Sequence, residues 1–207
     1  NLAAWRAQHG DYPDLLEQLI DALGDLPGIG RRSAERIALY LIDSPGNTAR
    51  RLSELIAAVN DKIKACAICS NFSTDETCSI CANPQRDMST VCIVEYPKDV
   101  IALEKSGSYH GVYYVLMGSI APIEGRGPQS IDITRLLQRI SNGEVQEVII
   151  ATDADSEGES TAHFLKNILS QYQVKVSRIG IGVPLGSQIE FTNAATLGKA
   201  LQERRQM

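Results

Sequence analysis

Four of the five cysteines in this 207-residue chain are paired at metal-ligand spacing, Cys66-Ala67-Ile68-Cys69 and Cys78-Ser79-Ile80-Cys81, with eight residues between the pairs. One C-x-x-C knuckle can place two thiolates on a metal ion, and a second completes the tetrahedron that zinc prefers. The insert between them is polar with a single aromatic, Phe72, so a metal would have to supply the order that a core cannot. A pair of disulfides is the rival reading. It is disfavoured by the local pairing and by the absence of a secretory pattern in Asn1 to Pro13. Cys92 lies outside the pattern, in an apolar run, and reads as a core residue.

A second chemistry is carried by acids. Glu95 follows the run Val91-Cys92-Ile93-Val94, and Asp153-Ala154-Asp155 follows Val148-Ile149-Ile150-Ala151. One Glu and an Asp-x-Asp at neighbouring strand ends can converge on magnesium, a hard cation that takes oxygen ligands. Asp155 or Ser156 can also cap the helix that follows, with Glu157 and Glu159 favouring its positive end. The two roles are compatible.

The third candidate is the stretch Leu26-Pro27-Gly28-Ile29-Gly30-Arg31-Arg32-Ser33-Ala34. Pro27 and the two glycines break one helix, and Gly-Ile-Gly permits close backbone approach. Free amides at the start of the next helix can then face a phosphate. Pro27, Gly28, Ile29, Gly30, Arg31, Arg32 and Arg36 are the expected DNA contacts, with only Glu35 opposing the cations. Contacts of this kind read backbone and not sequence. The alternative is an ordinary helical turn with solvated arginines. His9, His110 and His163 are isolated, and no Ser-His-Asp or Cys-His arrangement accompanies them.

Those residues must be positioned by regular elements. Leu15, Leu16, Leu19, Ile20 and Leu23 predict an amphipathic helix over 14–24. Ala34, Ile37, Ala38, Leu41 and Ile42 predict a second helix, ended by Asp43-Ser44-Pro45-Gly46-Asn47. Leu52, Leu55, Ile56, Val59 and Ile63 predict a third over about 48–64. Beyond the cysteines, apolar runs at 91–94, 112–117 and 148–151 and a fourth strand at 174–179 alternate with helices at 98–106, 132–142 and 156–172. That alternation predicts a parallel sheet covered on both faces, whose ligands bind beyond the strands' carboxyl ends. A loop with Gly182, Pro184 and Gly186 leads to a weakly amphipathic helix from about Ala194, suited to docking on a neighbour.

Composition limits the classes of function. A hydrophobic fraction of 43% supports packed cores, and a net charge of -5 makes any nucleic-acid contact a local affair. No apolar run approaches the length of a membrane span, and a cytoplasmic protein is expected.

Taken in order, the hairpin, the four cysteines, Val94-Glu95-Tyr96-Pro97-Lys98-Asp99-Val100, Glu157-Gly158-Glu159 and Gly182-Val183-Pro184-Leu185-Gly186 resemble the RecR family of bacterial recombination mediators. The resemblance runs from Leu15 to Arg205 and implies a multidomain α and α/β architecture. Its parts would be a helix-hairpin-helix domain over 1–64, a small zinc finger over 65–88, a Rossmann-like Toprim parallel sheet over 89–181, and a C-terminal loop and helix over 182–207. At Asp153-Ala154, where relatives often carry Asn-Pro, the chain keeps a fuller acidic set. The resemblance further implies a DNA-binding, non-enzymatic protein of recombinational repair, forming dimers or tetrameric ring clamps. Such proteins engage single- and double-stranded DNA without sequence preference and act with RecO and RecF to load RecA on single strands. The competing expectation is a magnesium-dependent Toprim nuclease or related phosphodiester enzyme. A zinc-ribbon RNA binder is a weaker rival, for want of aromatic stacking clusters.

Overall fold

The computed structural model describes residues 12–44 and 46–204. His9 lies outside the described residues, as does most of the 1–13 stretch in which no secretory pattern was found. The chain divides into two compact units, 1–62 and 63–207.

The first unit is built from helices α1 (Asp14–Gly24), α2 (Arg31–Asp43) and α3 (Thr48–Lys62). Its core is small: Ile20 of α1 meets Ala34 and Ala38 of α2, with Leu16, Leu23 and Ile29 packed around them. Small residues at Ala34 and Ala38 let the two backbones approach, and Gly24 faces Ala34 with just enough room for a methyl group at van der Waals contact. The expected apolar faces are only partly used. Leu15 and Ile42 are exposed, and α3 buries no side chain: Leu55, Ile56 and Val59 are each more than half exposed. Periodicity gave the helix correctly, but it cannot say whether the same chain supplies the partner for that face.

In the second unit, β1 (Lys64–Ala65) and β2 (Phe72–Ser73) form a two-residue antiparallel ribbon beside the cysteines. A four-stranded sheet follows, from β3 (Asp87–Val94), β4 (Gly111–Val115), β5 (Glu147–Ile150) and β6 (Lys175–Arg178), in the order β4-β3-β5-β6, all parallel. Helices α4 (Pro97–Ser106), α5 (Thr134–Ser141) and α6 (Ser156–Leu169) alternate with the strands, and α7 (Ala194–Gln202) closes the chain.

The continuous apolar runs have the reason foreseen for them: both faces of the sheet are covered. Val91, Ile93, Val112, Tyr114, Val148 and Ile150 point to one side, against Leu136 and Ile140 of α5 and Leu165 and Leu169 of α6. Cys92, Val94, Tyr113 and Val115 point to the other, against Val100 and Leu103 of α4. Cys92 is thus a core residue, its thiol pushed up to about 12 by burial. Helix α6 stops at Leu169, three residues short of the expected end, and Tyr172 packs on the core from the turn beyond.

Candidate functional site

The cysteine centre is assembled by two tight turns. The Ser70 amide donates to the Cys66 carbonyl at 3.0 Å, and the Ala82 amide to that of Cys78 at 2.9 Å. Ser70 closes the first turn with φ +63, the left-handed region that side chains rarely adopt. The four Sγ atoms lie within 4.8 Å of one another and all four residues are buried; Cys69 and Cys78 have sulfurs 3.6 Å apart. Among the described residues there are no disulfides, so the rival pairing is not what the fold contains.

This donor set fits zinc. Burial raises the Cys66 thiol, but amides of Cys78, Cys69 and Ile68 outweigh it and bring it down to about 7. The Cys78 amide donates directly to Cys66 Sγ at 3.3 Å. Cys69 is driven the opposite way, by its hydrogen bond with Cys81 and then by burial. Four buried sulfurs that cannot all ionise unaided are what a divalent cation resolves.

The centre is docked on the sheet. Ile80, inside the second knuckle, packs on the cysteines and on both sheet cores. The Val115 amide at the end of β4 donates to the Cys69 carbonyl at 2.8 Å. Arg135 of α5 reaches three groups of the first knuckle: the carbonyls of Cys66 (3.3 Å) and Ala67 (2.8 Å), and Ser70 Oγ (2.9 Å). Nothing in the spacing of the cysteines pointed to Arg135, which lies 69 positions beyond Cys66.

The acids sit where the strand order reverses, between β3 and β5. Glu95 is buried, and its Oε1 accepts the Asp153 amide at 3.2 Å. Burial first, then the charges of Asp153 and Asp155, push its carboxyl up to about 7. Asp155 caps α6 by accepting the Gly158 amide at 2.8 Å, the capping role that sequence offered as the alternative. Among the described residues, only the four cysteines bring three or more metal-type ligand atoms within 4.8 Å of one another. Glu95, Asp153 and Asp155 are therefore neighbours at one mouth without forming a ready oxygen cage.

Gly158 matters here for a reason that sequence alone did not supply. A Cβ on Gly158 would lie 2.0 Å from the Asp153 carbonyl oxygen, so only glycine lets α6 start against the acidic loop. Glu157 beside it holds the 118–130 loop, accepting from Ser119 Oγ at 2.8 Å and Arg126 Nη2 at 2.8 Å.

In the helical unit, Gly28 takes φ +80, so the turn requires glycine there, and Gly30 is the N-cap of α2. A glycine cap brings no side chain to the first amides of α2, and the first turn carries no acid, which leaves the positive helix end open to an anion. The arginines divide. Arg31 is held by α1, donating to Glu17 Oε2 at 2.6 Å and Asp21 Oδ1 at 2.7 Å. Arg32 and Arg36 are exposed and, among the described residues, form no ion pair. The expectation counted only Glu35 as opposing charge. Glu35 accepts from the Tyr12 hydroxyl at 2.6 Å, and the acids that do oppose a cation, Glu17 and Asp21, come from the preceding helix.

Comparison with known families agrees with this arrangement segment by segment. The RecR helix-hairpin-helix matches residues 16–59, the RecR four-cysteine zinc finger domain 63–83, the Toprim domain 89–180 and the RecR C-terminal region 182–205. The chain is 46% identical to a Recombination protein RecR of Acidothermus cellulolyticus over 196 residues, covering 95% of this chain and 98% of that protein. Recombination protein RecR of Leifsonia xyli subsp. xyli is 45% identical (95% and 99% covered), and that of Moorella thermoacetica 44% (95% and 98%). With every segment matched and identity of this level over nearly its whole length, the chain belongs to the RecR family of recombination proteins.

Proposed function

We propose that this protein is a DNA-binding mediator of recombinational repair, acting as an oligomeric clamp with RecO and RecF to promote RecA loading on single strands. The observation that carries the reading is the α1–α2 turn: open amides at a glycine-capped helix start, beside two exposed arginines that form no ion pair among the described residues. Pro27, Gly28, Ile29 and Gly30 would bring backbone amides against a phosphate, with Arg32 and Arg36 flanking it and Arg31 fixing α1 to α2. Binding of that kind is indifferent to sequence and falls steeply with salt.

Assembly is supported by α3. Leu55, Ile56 and Val59 are exposed on one face, and covering side chains of this kind contributes roughly 1.5–3 kcal/mol each. Leu185, Ile189 and Phe191 add a second exposed apolar set in the tail. A dimer or tetramer ring would cover such faces.

Zinc is structural on this reading, held by Cys66, Cys69, Cys78 and Cys81, and would fix the knuckles to the sheet. Glu95, Asp153 and Asp155 would form at most a weak, water-completed magnesium site that tunes affinity without turnover. No helix among the described residues is long and apolar enough to cross a membrane. The test is light scattering of the purified protein with and without DNA, alongside RecA loading on protein-coated single strands in the presence of RecO. A monomer at micromolar concentration, or no stimulation of loading, would overturn the reading.

A further inference from the structure

Helix α2 buries Ala34 and Ala38 against α1, so its opposite side carries Arg32, Arg36, Leu39, Tyr40 and Asp43, which recur on one stripe at the helical period. The solvent face of a helix is normally charged or polar. This one changes character along its length. Its first two turns present two exposed arginines that form no ion pair among the described residues. Its last turns present Leu39 and Tyr40, with Ile42 at their flank, all of them exposed and Tyr40 at 63%.

Tyr40 is the informative member. Among the described residues its hydroxyl has no hydrogen-bond partner. An open hollow of about 500 Å³ is lined by Leu39, Tyr40, Ile42, Asp43 and Ser44. The ring and two aliphatic side chains make it largely apolar, and its one carboxylate, Asp43, repels a phosphate. The hollow therefore suits a flat, uncharged group. The cations stand apart from it but in line with it: Arg36 lies one helical turn before Tyr40, about 6 Å along the axis, and Arg32 one turn further back.

We propose that this face binds single-stranded DNA, with a base stacked on the Tyr40 ring and the strand's phosphates on Arg36 and Arg32. The proposal rests on the reading of the α1–α2 turn as a phosphate site, and adds a means of telling single strands from duplexes. Phosphates are common to both. In a duplex each base is already stacked between its neighbours, whereas a single strand turns bases out onto an aromatic ring. Stacking is tolerant of sequence because every base has a π-face, so the indifference expected of the turn is kept. A second copy of the chain covering Leu39 and Ile42 is the competing use of this face. The two arginines in line with the hollow favour a polyanion over an apolar partner.

The experiment is fluorescence anisotropy of the zinc-loaded, full-length protein with three labelled ligands. They are a single-stranded oligonucleotide, its abasic counterpart, which keeps the phosphates, and the blunt duplex. The parent should prefer the base-bearing strand to the abasic one by about tenfold, the factor that one stacked base supplies. Tyr40→Ala should bring that ratio close to one, and Tyr40→Trp should keep or raise it. Replacing so exposed a side chain opens no cavity, and light scattering of each variant checks its assembly. Arg32→Glu with Arg36→Glu tests the underlying reading and should weaken all three ligands. If the reversal does so while Tyr40→Ala keeps the parent's ratio, the phosphate site stands and stacking is overturned. If the reversal weakens none of them, the turn is not the phosphate site, and the proposal built on it falls too. A parent ratio of one also overturns it. So does loss of the oligomeric state in Tyr40→Ala, which would assign the face to a second copy.

Discussion

Arg135 donates from Nη1 to the carbonyl oxygen of Ala67 at 2.8 Å, joining the sheet unit's α5 to the first cysteine knuckle across 68 positions of sequence. With the further bonds to the Cys66 carbonyl and Ser70 Oγ, one guanidinium holds the left-handed turn at Ser70 in place. Arg135→Ala should cost about 1–3 kcal/mol, the usual range when hydrogen bonds to a charged group are lost and buried acceptors are stranded. Denaturant melts of the zinc-loaded protein check this. A variant as stable as the parent would mean that the knuckle holds its own shape.

Metal removal should propagate further than the knuckles. Ile80 packs on the cysteines and on both sheet cores, so loss of zinc loosens a residue that the sheet itself uses. Fresh reduced protein should contain one zinc per chain, and Cys78→Ser should lose it and become sensitive to protease near residues 70–85. Cys92→Ser should keep the metal while costing about 1–3 kcal/mol, because a hydroxyl would be buried among Val94, Val100 and Tyr113. Elemental analysis and limited proteolysis of the two variants separate the roles.

The arginines of the hairpin should not be equivalent. Arg31 is satisfied by Glu17 and Asp21, whereas Arg32 and Arg36 are exposed and pair with no acid among the described residues. Arg32→Glu with Arg36→Glu should weaken binding of unrelated DNA sequences alike and flatten the dependence of log affinity on log salt by about two. Arg31→Ala should act mainly on the stability of the α1–α2 pair, and only modestly, since exposed ion pairs contribute little. Fluorescence anisotropy over a salt series tests all three. Equal losses for Arg31→Ala and the double reversal would return Arg31 to the phosphate site.

How far the sequence could be read divides along the same line. The cysteine set, the hairpin turn and the strands of the sheet were legible because each depends on residues close in the chain: C-x-x-C spacing, a Gly-Ile-Gly turn, and the apolar runs of β3, β4 and β5. Arg135, Glu17, Asp21 and the Glu157–Arg126 pair were not, because each acts on a partner made adjacent only by folding. Gly158 lay inside a quoted motif, but its purpose is steric. It appears only once the Asp153 carbonyl is found 2.0 Å from where a Cβ would stand. The exposed face of α3 marks the opposite limit, since an apolar stripe states a need for a partner without naming one.

Gly158→Ala should therefore be costly. The neighbour is backbone, which cannot swing aside, so either α6 or the acidic loop must shift. A loss of about 1–3 kcal/mol is expected, against the usual preference for alanine over glycine within a helix. A thermal shift series with Ser156→Ala as the comparison checks it. A neutral or stabilising Gly158→Ala would show that the loop can move freely.

The last prediction concerns Glu95, where burial, metal binding and catalysis meet. Its carboxyl rises from 4.5 to about 7, by burial first and by Asp153 and Asp155 after. The folded protein then keeps a proton that the unfolded chain loses. This group's contribution to stability is complete below about pH 4.5 and declines as pH rises through 7. Glu95→Gln keeps the acceptor for the Asp153 amide and removes the titration. It should match the parent near pH 4 and exceed it at pH 8 by on the order of 2 kcal/mol. A carboxyl half-protonated at neutral pH, with no oxygen cage around it, makes a weak magnesium site, because the ligands must be gathered as the ion dehydrates. Turnover would need a positioned nucleophile as well. Tyr109, Tyr113 and Tyr114 direct their hydroxyls to Val112, Glu104 and Asp132. Tyr96, whose ring centroid lies 5.3 Å from the Lys98 ammonium, directly follows Glu95 in the chain. Labelled single- and double-stranded DNA incubated with magnesium or manganese should stay intact. Cleavage abolished by Tyr96→Phe, or by Asp153→Asn with Asp155→Asn, would establish a phosphodiester enzyme in place of a mediator.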